Sequence, residues 1–179
     1  AVVVGIGYPE AEHNLLAALE RRNVDLTPAR GIDALKTLVS RQLNGLNADE
    51  FGGADSFLEM IETEIKPCVG RFAAVARGRD ILFGHSLGGL FTLYALFTRP
   101  GTFATYISLS PSIWWDDKAI LRFESAFLQG LGDRGIEADI FIGVGEFEQT
   151  PEKVPALKAE AVVSAAMVDN AMSAASRLA

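Results

Sequence analysis

Residues 80–98 constrain the fold more than any other part of the chain. The run D-I-L-F at residues 80–83 predicts a short buried strand, and residues 90–97 predict a buried helix that stops before Pro100-Gly101. Between them, residues 84–89 read G-H-S-L-G-G, a G-x-S-x-G motif. A strand and a helix joined by so tight a turn can approach each other only where the residues two positions before and after the serine lack a Cβ, and glycine meets that need.

The rest of the chain alternates strand-like runs with helical patterns. This alternation predicts an α/β fold with a mostly parallel sheet and helices on both faces, formed by a single domain over residues 1–179. Three more strands are predicted, at residues 1–7, 103–109 and 138–144. Two helices are predicted at residues 15–22 and 32–43. A third is predicted from an N-cap at Asp55 or Ser56 to near Pro67, and a fourth from Asp116 or Asp117 to about Leu128. The last is predicted to run without interruption from Val154 or Pro155 to the end.

Composition excludes several classes of function. The formal net charge of −7 argues against binding nucleic acid or an anionic membrane surface through basic residues. A run of about 18 apolar residues, which a membrane-spanning helix needs, is absent from the sequence.

Cys68 is the single cysteine, so an internal disulfide and a cysteine-based zinc site are excluded, and we expect neither a metal nor a cofactor. The single cysteine favours the cytoplasm and leaves the periplasm open.

Ser86 is the predicted nucleophile of this chain. In a strained turn between strand and helix, its hydroxyl projects at the carboxyl end of the strand. The backbone N–H of Leu87, at the start of the helix, is then a predicted donor to an oxyanion. An ordinary N-cap serine in a glycine-rich turn is the structural alternative.

A serine nucleophile needs a base, usually histidine, and an acid that orients the base. In the fold that carries this motif, the acid and then the histidine follow the serine along the chain. Glu148, and as second choice Glu146, follow the last predicted strand. His85 is a poor base because it adjoins Ser86 in a tight turn, His13 is predicted to lie in a loop, and neither of the two histidines follows Ser86.

Trp114 and Trp115 follow the third predicted strand, at the sheet edge where Ser86 is expected. Such rings could line a pocket for an acyl or aryl group, or they could simply pack beneath a loop. We expect one of them to pack inward and the other to face the cleft. The following pair, Asp116-Asp117, is expected to mark a helix N-terminus.

Several motifs together resemble the putative-esterase branch of the α/β-hydrolases, which includes siderophore esterases of the enterochelin, trilactone type. The resemblance extends over residues 1–179 as a central piece of the family domain. It rests mainly on G-H-S-L-G-G-L-F at residues 84–91, Y-A-L-F at 94–97 and S-L-S-P-S-I-W-W at 108–115. Further matches are V-G-I-G-Y-P at residues 4–9, D-L-T-P at 25–28 and G-E-x-E at 145–148.

The resemblance implies hydrolysis of a carboxylic ester through an acyl-serine intermediate, with Ser86 as nucleophile and Glu148 at the acid position. It implies a small-molecule ester substrate, such as a siderophore trilactone, and a pocket that includes Trp114, Trp115, Arg22 and His85. Feruloyl or other aryl esters, thioesters and acyl transfer remain open, and so does the oligomeric state. Relatives often carry an arginine directly before the aspartate of D-L-T-P, whereas Val24 stands there in this chain.

The resemblance also implies parts that these residues do not supply. Relatives have a strand before the equivalent of Ala1, whose loop supplies a second oxyanion donor, and a final strand whose loop carries the histidine. We therefore expect the chain to be a piece of a longer protein and to be inactive alone. The opposing hypothesis is a binding module without catalytic activity that uses the cleft above Ser86.

Overall fold

The computed structural model describes residues 1–8, 14–29, 51–76, 78–134, 137–154 and 157–179. They fall into two compact units, Ala1–Gly78 and Arg79–Ala179. The prediction of a single partial domain over residues 1–179 stays a prediction. The predicted helix at residues 32–43, His13 and the start of the last helix at Pro155 lie outside the described residues.

The first unit contains two helical stretches. Helix α1 spans Leu15–Asp25 and begins at Asn14, whose side chain accepts a hydrogen bond from the Ala17 N–H, 3.1 Å away. The second stretch joins α2 (Ala54–Met60), a π-helical turn (Ile61–Ile65) and α3 (Lys66–Phe72).

Two predictions about this second stretch are wrong. Its N-cap is Gly53, so Asp55 and Ser56 lie within the first turn of the helix and not at its N-cap. The helix also continues past Pro67, which stands at the start of α3 directly after the π-helical turn. A proline lacks an N–H and crowds the carbonyl four residues earlier, so it is tolerated where the regular hydrogen-bond ladder is already interrupted.

Residues 1–8 form no strand, which corrects the prediction for residues 1–7. Val2, Val3, Val4 and Ile6 are all exposed. An apolar, β-branched run becomes a strand only when a neighbouring backbone pairs with it, and the three described strands pair only with one another. The composition of the run was right for a strand, but the pairing is absent from the described residues.

The second unit is built on a parallel sheet in the order β1-β2-β3. Its strands are β1 (Ile81–His85), β2 (Thr105–Leu109) and β3 (Asp139–Gly143), and they confirm the predictions at residues 80–83, 103–109 and 138–144. His85 is in register with Leu109, and Leu109 with Gly143. The carboxyl ends of the three strands therefore meet at one edge, and the turns after these ends are neighbours.

Helix α4 (Leu87–Thr98) follows β1 directly, packs against β1 and β2, and is buried along most of its length. The Tyr106 and Ser108 side chains of β2 are buried, whereas the intervening residues of that strand are half-buried. Such alternation is typical of a strand that turns one face to a helix. The predicted buried helix and its end before Pro100-Gly101 are confirmed.

Helix α6 (Ile120–Arg134) packs against α4 through aromatic pairs, with the Tyr94 and Phe123 ring centroids 5.1 Å apart. A short helical turn, α5 (Trp115–Lys118), precedes it. The predicted helix start at Asp116 or Asp117 is wrong, because both residues and Lys118 have left-handed backbone, with φ of 49°, 49° and 62°. A right-handed helix cannot pass through three such residues, so it begins only at Ile120.

The end of the chain is two helices, α7 (Ala159–Ala165) and α8 (Met167–Leu178), preceded by a 3-10 turn at Pro151–Lys153. The prediction of an uninterrupted helix is wrong, because Ala166 is left-handed, with φ 45° and ψ 46°. Helix α8 lies against β3, and Arg177 forms an ion pair with the buried Glu124 of α6, with Nη2 2.9 Å from Oε2. Among the helices in the described ranges, none combines the length and apolarity needed to cross a bilayer.

Candidate active site

Ser86 lies between β1 and α4 in a conformation that few residues other than glycine adopt. Its φ is 59° and its ψ is −118°. Its N–H donates to the Leu109 carbonyl at 3.0 Å, and its carbonyl accepts from the Leu90 N–H at 3.0 Å and the Ser112 N–H at 3.2 Å. Backbone of this kind costs on the order of 1–3 kcal/mol and persists only when its surroundings impose it. Here these three hydrogen bonds impose it.

Two glycines permit the close contact that this turn needs. A Cβ on Gly84 would lie 2.0 Å from the Gly88 carbonyl oxygen, and a Cβ on Gly89 would lie 2.8 Å from the Leu109 carbonyl oxygen. Both distances are far shorter than atoms of these kinds tolerate. Glycine at positions 84 and 89 is therefore a steric requirement of bringing β1, α4 and the end of β2 together, whereas a Cβ on Gly88 would meet no atom within 4 Å.

The turn places Ser86 at the N-terminus of α4, with Leu87 as the first helical residue. N–H groups in the first turn of a helix have no acceptor within the helix and lie at the positive end of its dipole. Ser86 itself is half-buried, so its hydroxyl remains accessible. The structure thus brings together the predicted nucleophile and the predicted Leu87 oxyanion donor.

A second serine, Ser112, lies directly against the predicted nucleophile. The two hydroxyl oxygens are 3.3 Å apart, and only 2% of Ser112 is exposed. Sequence reasoning used Ser112 only as part of the S-P-S-x-W-W run and assigned it no role. That run, which comes after the strand next to the nucleophile strand, was the signal that could have identified it.

Glu148 is held at the same edge of the sheet. One of its carboxylate oxygens, Oε1, accepts from the Ser110 hydroxyl at 2.6 Å and from the Gly145 N–H at 2.9 Å. Ser110 follows β2 directly and is 6% exposed. Glu146, the second choice for the acid, has an exposed side chain. Of the two carboxylates, Glu148 is therefore the one that these hydrogen bonds orient.

The two tryptophans differ in burial. Trp115 is 5% exposed and Trp114 is half-buried, with ring centroids 6.1 Å apart. This difference agrees with the expectation that one ring packs inward. Asp116, next to Trp115, is also buried, and its Oδ1 has no hydrogen-bond partner in the described part of the chain. A pocket role for either ring stays a prediction.

His85 and Arg22 are the remaining predicted pocket residues. His85 ends β1 and its side chain is exposed. Because successive residues of a strand point to opposite faces, His85 faces away from the side on which Gly84 meets α4. Arg22 belongs to α1 of the first unit and is half-buried. Its place in a pocket also stays a prediction.

Within the first unit, two of the family-like motifs meet. The Tyr8 hydroxyl hydrogen-bonds to Asp25, and Arg21 Nε lies 3.0 Å from Asp25 Oδ2. Burial, together with the charge of Asp25 and this hydrogen bond, raises the pKa of Tyr8 to about 12. Arg22 and Arg21 act in the opposite direction and lower this pKa, which places Arg22 beside the Tyr8–Asp25 pair.

Comparison with known proteins identifies relatives of this chain. Residues 24–176 match the family described as Putative esterase. The chain is 37% identical over 157 residues to the siderophore triacetylfusarinine C esterase of Aspergillus fumigatus, covering 85% of this chain and 47% of the relative. It is 37% identical over 149 residues to the ferri-bacillibactin esterase BesA of Bacillus subtilis, covering 83% of this chain and 49% of the relative.

Among solved structures, the siderophore hydrolase EstA from Aspergillus nidulans is similar at a TM-score of 0.75 and 32% identity. The similarity covers 89% of this chain and 54% of that one. Together with the parallel sheet flanked by helices, it confirms the predicted α/β-hydrolase fold. The chain spans about half the length of the relatives it matches.

Proposed function

Because the chain belongs to the Putative esterase family, we propose that the protein containing it hydrolyses carboxylic esters through an acyl-Ser86 intermediate. One observation carries the proposal. Ser86 stands in left-handed backbone at the N-terminus of a buried helix, with glycines where any Cβ would collide. A turn of this kind exposes the hydroxyl to an ester and directs the first helical N–H groups at the same place.

In the first half of the proposed reaction, the Ser86 oxygen attacks the ester carbonyl carbon while a base removes the hydroxyl proton. The carbonyl oxygen becomes an oxyanion, to which the Leu87 N–H donates. The bond to the alcohol then breaks, the alcohol receives the proton, and the acyl group stays on Ser86. In the second half, water attacks the acyl carbon while the base takes a proton from it, the bond between that carbon and Ser86 Oγ breaks, the carboxylic acid leaves, and the proton returns to Ser86 Oγ.

Glu148 is the proposed acid that orients the base. Its carboxylate is already directed by the Ser110 hydroxyl and the Gly145 N–H, so it keeps one position with little loss of entropy. No histidine follows Ser86 in the sequence, and His85 faces away from α4. We therefore propose that the base is a histidine contributed by a part of the whole protein outside these 179 residues.

The proposed substrate class is siderophore esters. The support comes from the names of the relatives, a triacetylfusarinine C esterase, a ferri-bacillibactin esterase and a siderophore enterobactin esterase of Emericella nidulans. We propose that Trp114, which is half-buried and follows β2, contacts a planar part of such a ligand.

The test uses the whole natural protein. A fluorophosphonate probe should attach once, and Ser86→Ala should abolish the attachment. Hydrolysis of a cyclic siderophore triester and of a simple aryl acetate is then measured for wild type, Glu148→Gln and Glu146→Gln. The two glutamine variants are a matched pair, because the residues are two positions apart and only Glu148 is held by Ser110.

We expect Glu148→Gln to lose activity by a factor of about 10²–10⁴, and Glu146→Gln to stay within about twofold. Equal losses in the two variants would contradict the assignment of the acid. A whole protein that binds the triester but neither labels nor hydrolyses it would contradict the enzyme and favour a binding module.

A further inference from the structure

We propose that Ser112 is a positioning residue for the nucleophile: its hydroxyl donates a hydrogen bond to Ser86 Oγ and holds that oxygen in one orientation. This inference rests on the proposed function of Ser86. Its geometric basis is the 3.3 Å separation of the two hydroxyl oxygens, in which either atom could be the donor. The burial of the two residues decides the direction.

The backbone of Ser112 is tied to the nucleophile turn. Its N–H donates to the Ser86 carbonyl at 3.2 Å, and its own carbonyl accepts from the Trp115 N–H at 3.0 Å. Pro111, directly before it, has a restricted φ and is fully buried. Ser112 is therefore fixed at both of its peptide groups, and its side chain has little freedom to leave Ser86.

Burial assigns the donor. Ser112 is 2% exposed, and within the described ranges its hydroxyl has Ser86 Oγ as its side-chain partner. A buried hydroxyl proton without an acceptor is costly, so the Ser112 proton is directed at Ser86. Ser86 is half-buried, so its own proton can turn outward. In this arrangement the Ser86 proton stays available to a base, and the Ser86 oxygen accepts from Ser112.

The consequence for catalysis is orientation. A serine side chain has three staggered rotamers, and only one of them directs the oxygen at an ester carbonyl in a given pose. A hydrogen bond from a fixed neighbour favours one rotamer before the substrate arrives. The benefit belongs to the chemical step, so it should be seen in kcat and in the rate of probe attachment, and not in KM.

The experiment compares Ser112→Ala with Ser108→Ala in the whole protein. Ser108 is a matched control, because it is also a buried serine of the same segment, and its hydroxyl donates to the Gly89 carbonyl at 2.9 Å. We expect Ser112→Ala to lower kcat and the fluorophosphonate rate about fivefold to tenfold, the size of one net hydrogen bond, with KM within about twofold. Ser108→Ala should stay within about twofold in all three quantities.

Ser112→Cys should lie between wild type and alanine, because a thiol is a weaker donor of similar size. It also replaces Ser112→Ala if the alanine variant does not fold. Equal losses in the Ser112 and Ser108 variants, or a loss confined to KM, would overturn the positioning role.

A second measurement does not depend on activity. In crystals of the whole protein at high resolution, Ser86 should occupy one rotamer in wild type, within hydrogen-bond distance of Ser112, and several in Ser112→Ala. A single unchanged rotamer in both would overturn the inference. If the wild-type protein proves unreactive toward the probe, the proposed function fails, and the Ser86 rotamers still decide the role of Ser112.

Discussion

Ser86 and Ser110 occupy equivalent places after neighbouring strands and share several features of their backbone. Ser86 comes directly after His85, the last residue of β1, and Ser110 comes directly after Leu109, the last residue of β2. His85 and Leu109 are in register. Each has left-handed backbone, with φ of 59° at Ser86 and 44° at Ser110. Each N–H also extends the parallel ladder: Ser86 donates to the Leu109 carbonyl at 3.0 Å, and Ser110 donates to the Gly143 carbonyl at 2.7 Å.

The two serines differ in the residues that come after them. After Ser86 the chain enters α4 immediately, so the first helical N–H groups lie beside a half-buried hydroxyl. After Ser110 comes Pro111, which has no N–H to offer, and the Ser110 hydroxyl is buried and donates to Glu148. A serine with left-handed backbone is therefore not a candidate nucleophile on that ground alone. The helix start and the accessibility of the oxygen separate the two serines.

The largest expected difference between the two serines is in catalysis. In the whole protein, Ser86→Ala should lower kcat by about 10⁶, because the atom that forms the acyl-enzyme is gone. Steady-state hydrolysis of the ester measures this loss, and circular dichroism checks that the variant remains folded. If Ser86→Ala retained more than about a hundredth of wild-type activity, Ser86 would not be the nucleophile.

The next effect is on stability and tests the close approach of β1 to α4 at the Ser86 turn. Gly84→Ala should destabilise the protein by about 3 kcal/mol or more, because its Cβ would lie 2.0 Å from the Gly88 carbonyl oxygen. Gly88→Ala is the matched control, since a Cβ there has no atom within 4 Å. It should be neutral or stabilise by up to about 1 kcal/mol. Urea unfolding of both variants checks this, and similar midpoints would contradict it.

Ser110→Ala should have a smaller effect, on activity more than on stability. The variant removes one donor to Glu148 and leaves the Gly145 N–H as the other. We expect kcat to fall about tenfold, which is far less than for Ser86→Ala, and no further fall when Ser110→Ala is added to Glu148→Gln. The double-mutant cycle measures this coupling. Fully additive losses would mean that Ser110 does not act through Glu148.

The smallest effect concerns backbone strain. Ser86→Gly should be more stable than Ser86→Ala by about 1 kcal/mol, because glycine adopts φ 59° without a steric penalty. Ser110→Gly should gain a similar amount over Ser110→Ala. Thermal unfolding of the four variants compares the two positions. A gain at one position alone would show that the strain is not shared.

Much of the candidate site could be predicted because its causes are local. Gly84 is required by its contact with Gly88 in the helix directly after the turn, so residues 84–89 already contain the turn, whereas Gly89 is required by its contacts with the distant Leu109 and Pro111. The strands β1, β2 and β3 were found for the same reason, since each is a short apolar run ended by turn residues. The choice between Glu148 and Glu146 was not local, because it depends on Ser110, which lies in a different strand turn.

Local sequence was enough to specify the strand-turn-helix at Ser86, the candidate nucleophile and the classes of partner that the charge argues against. Folding was needed to turn Asp116 and Asp117 left-handed and to divide the last helix at Ala166. Folding also brought the Ser112 hydroxyl next to the Ser86 hydroxyl, although the two residues are 26 positions apart in the sequence. The cause is the same in each case: steric limits act between neighbours in the chain, whereas pairing, burial and hydroxyl contacts depend on which distant residues folding brings alongside.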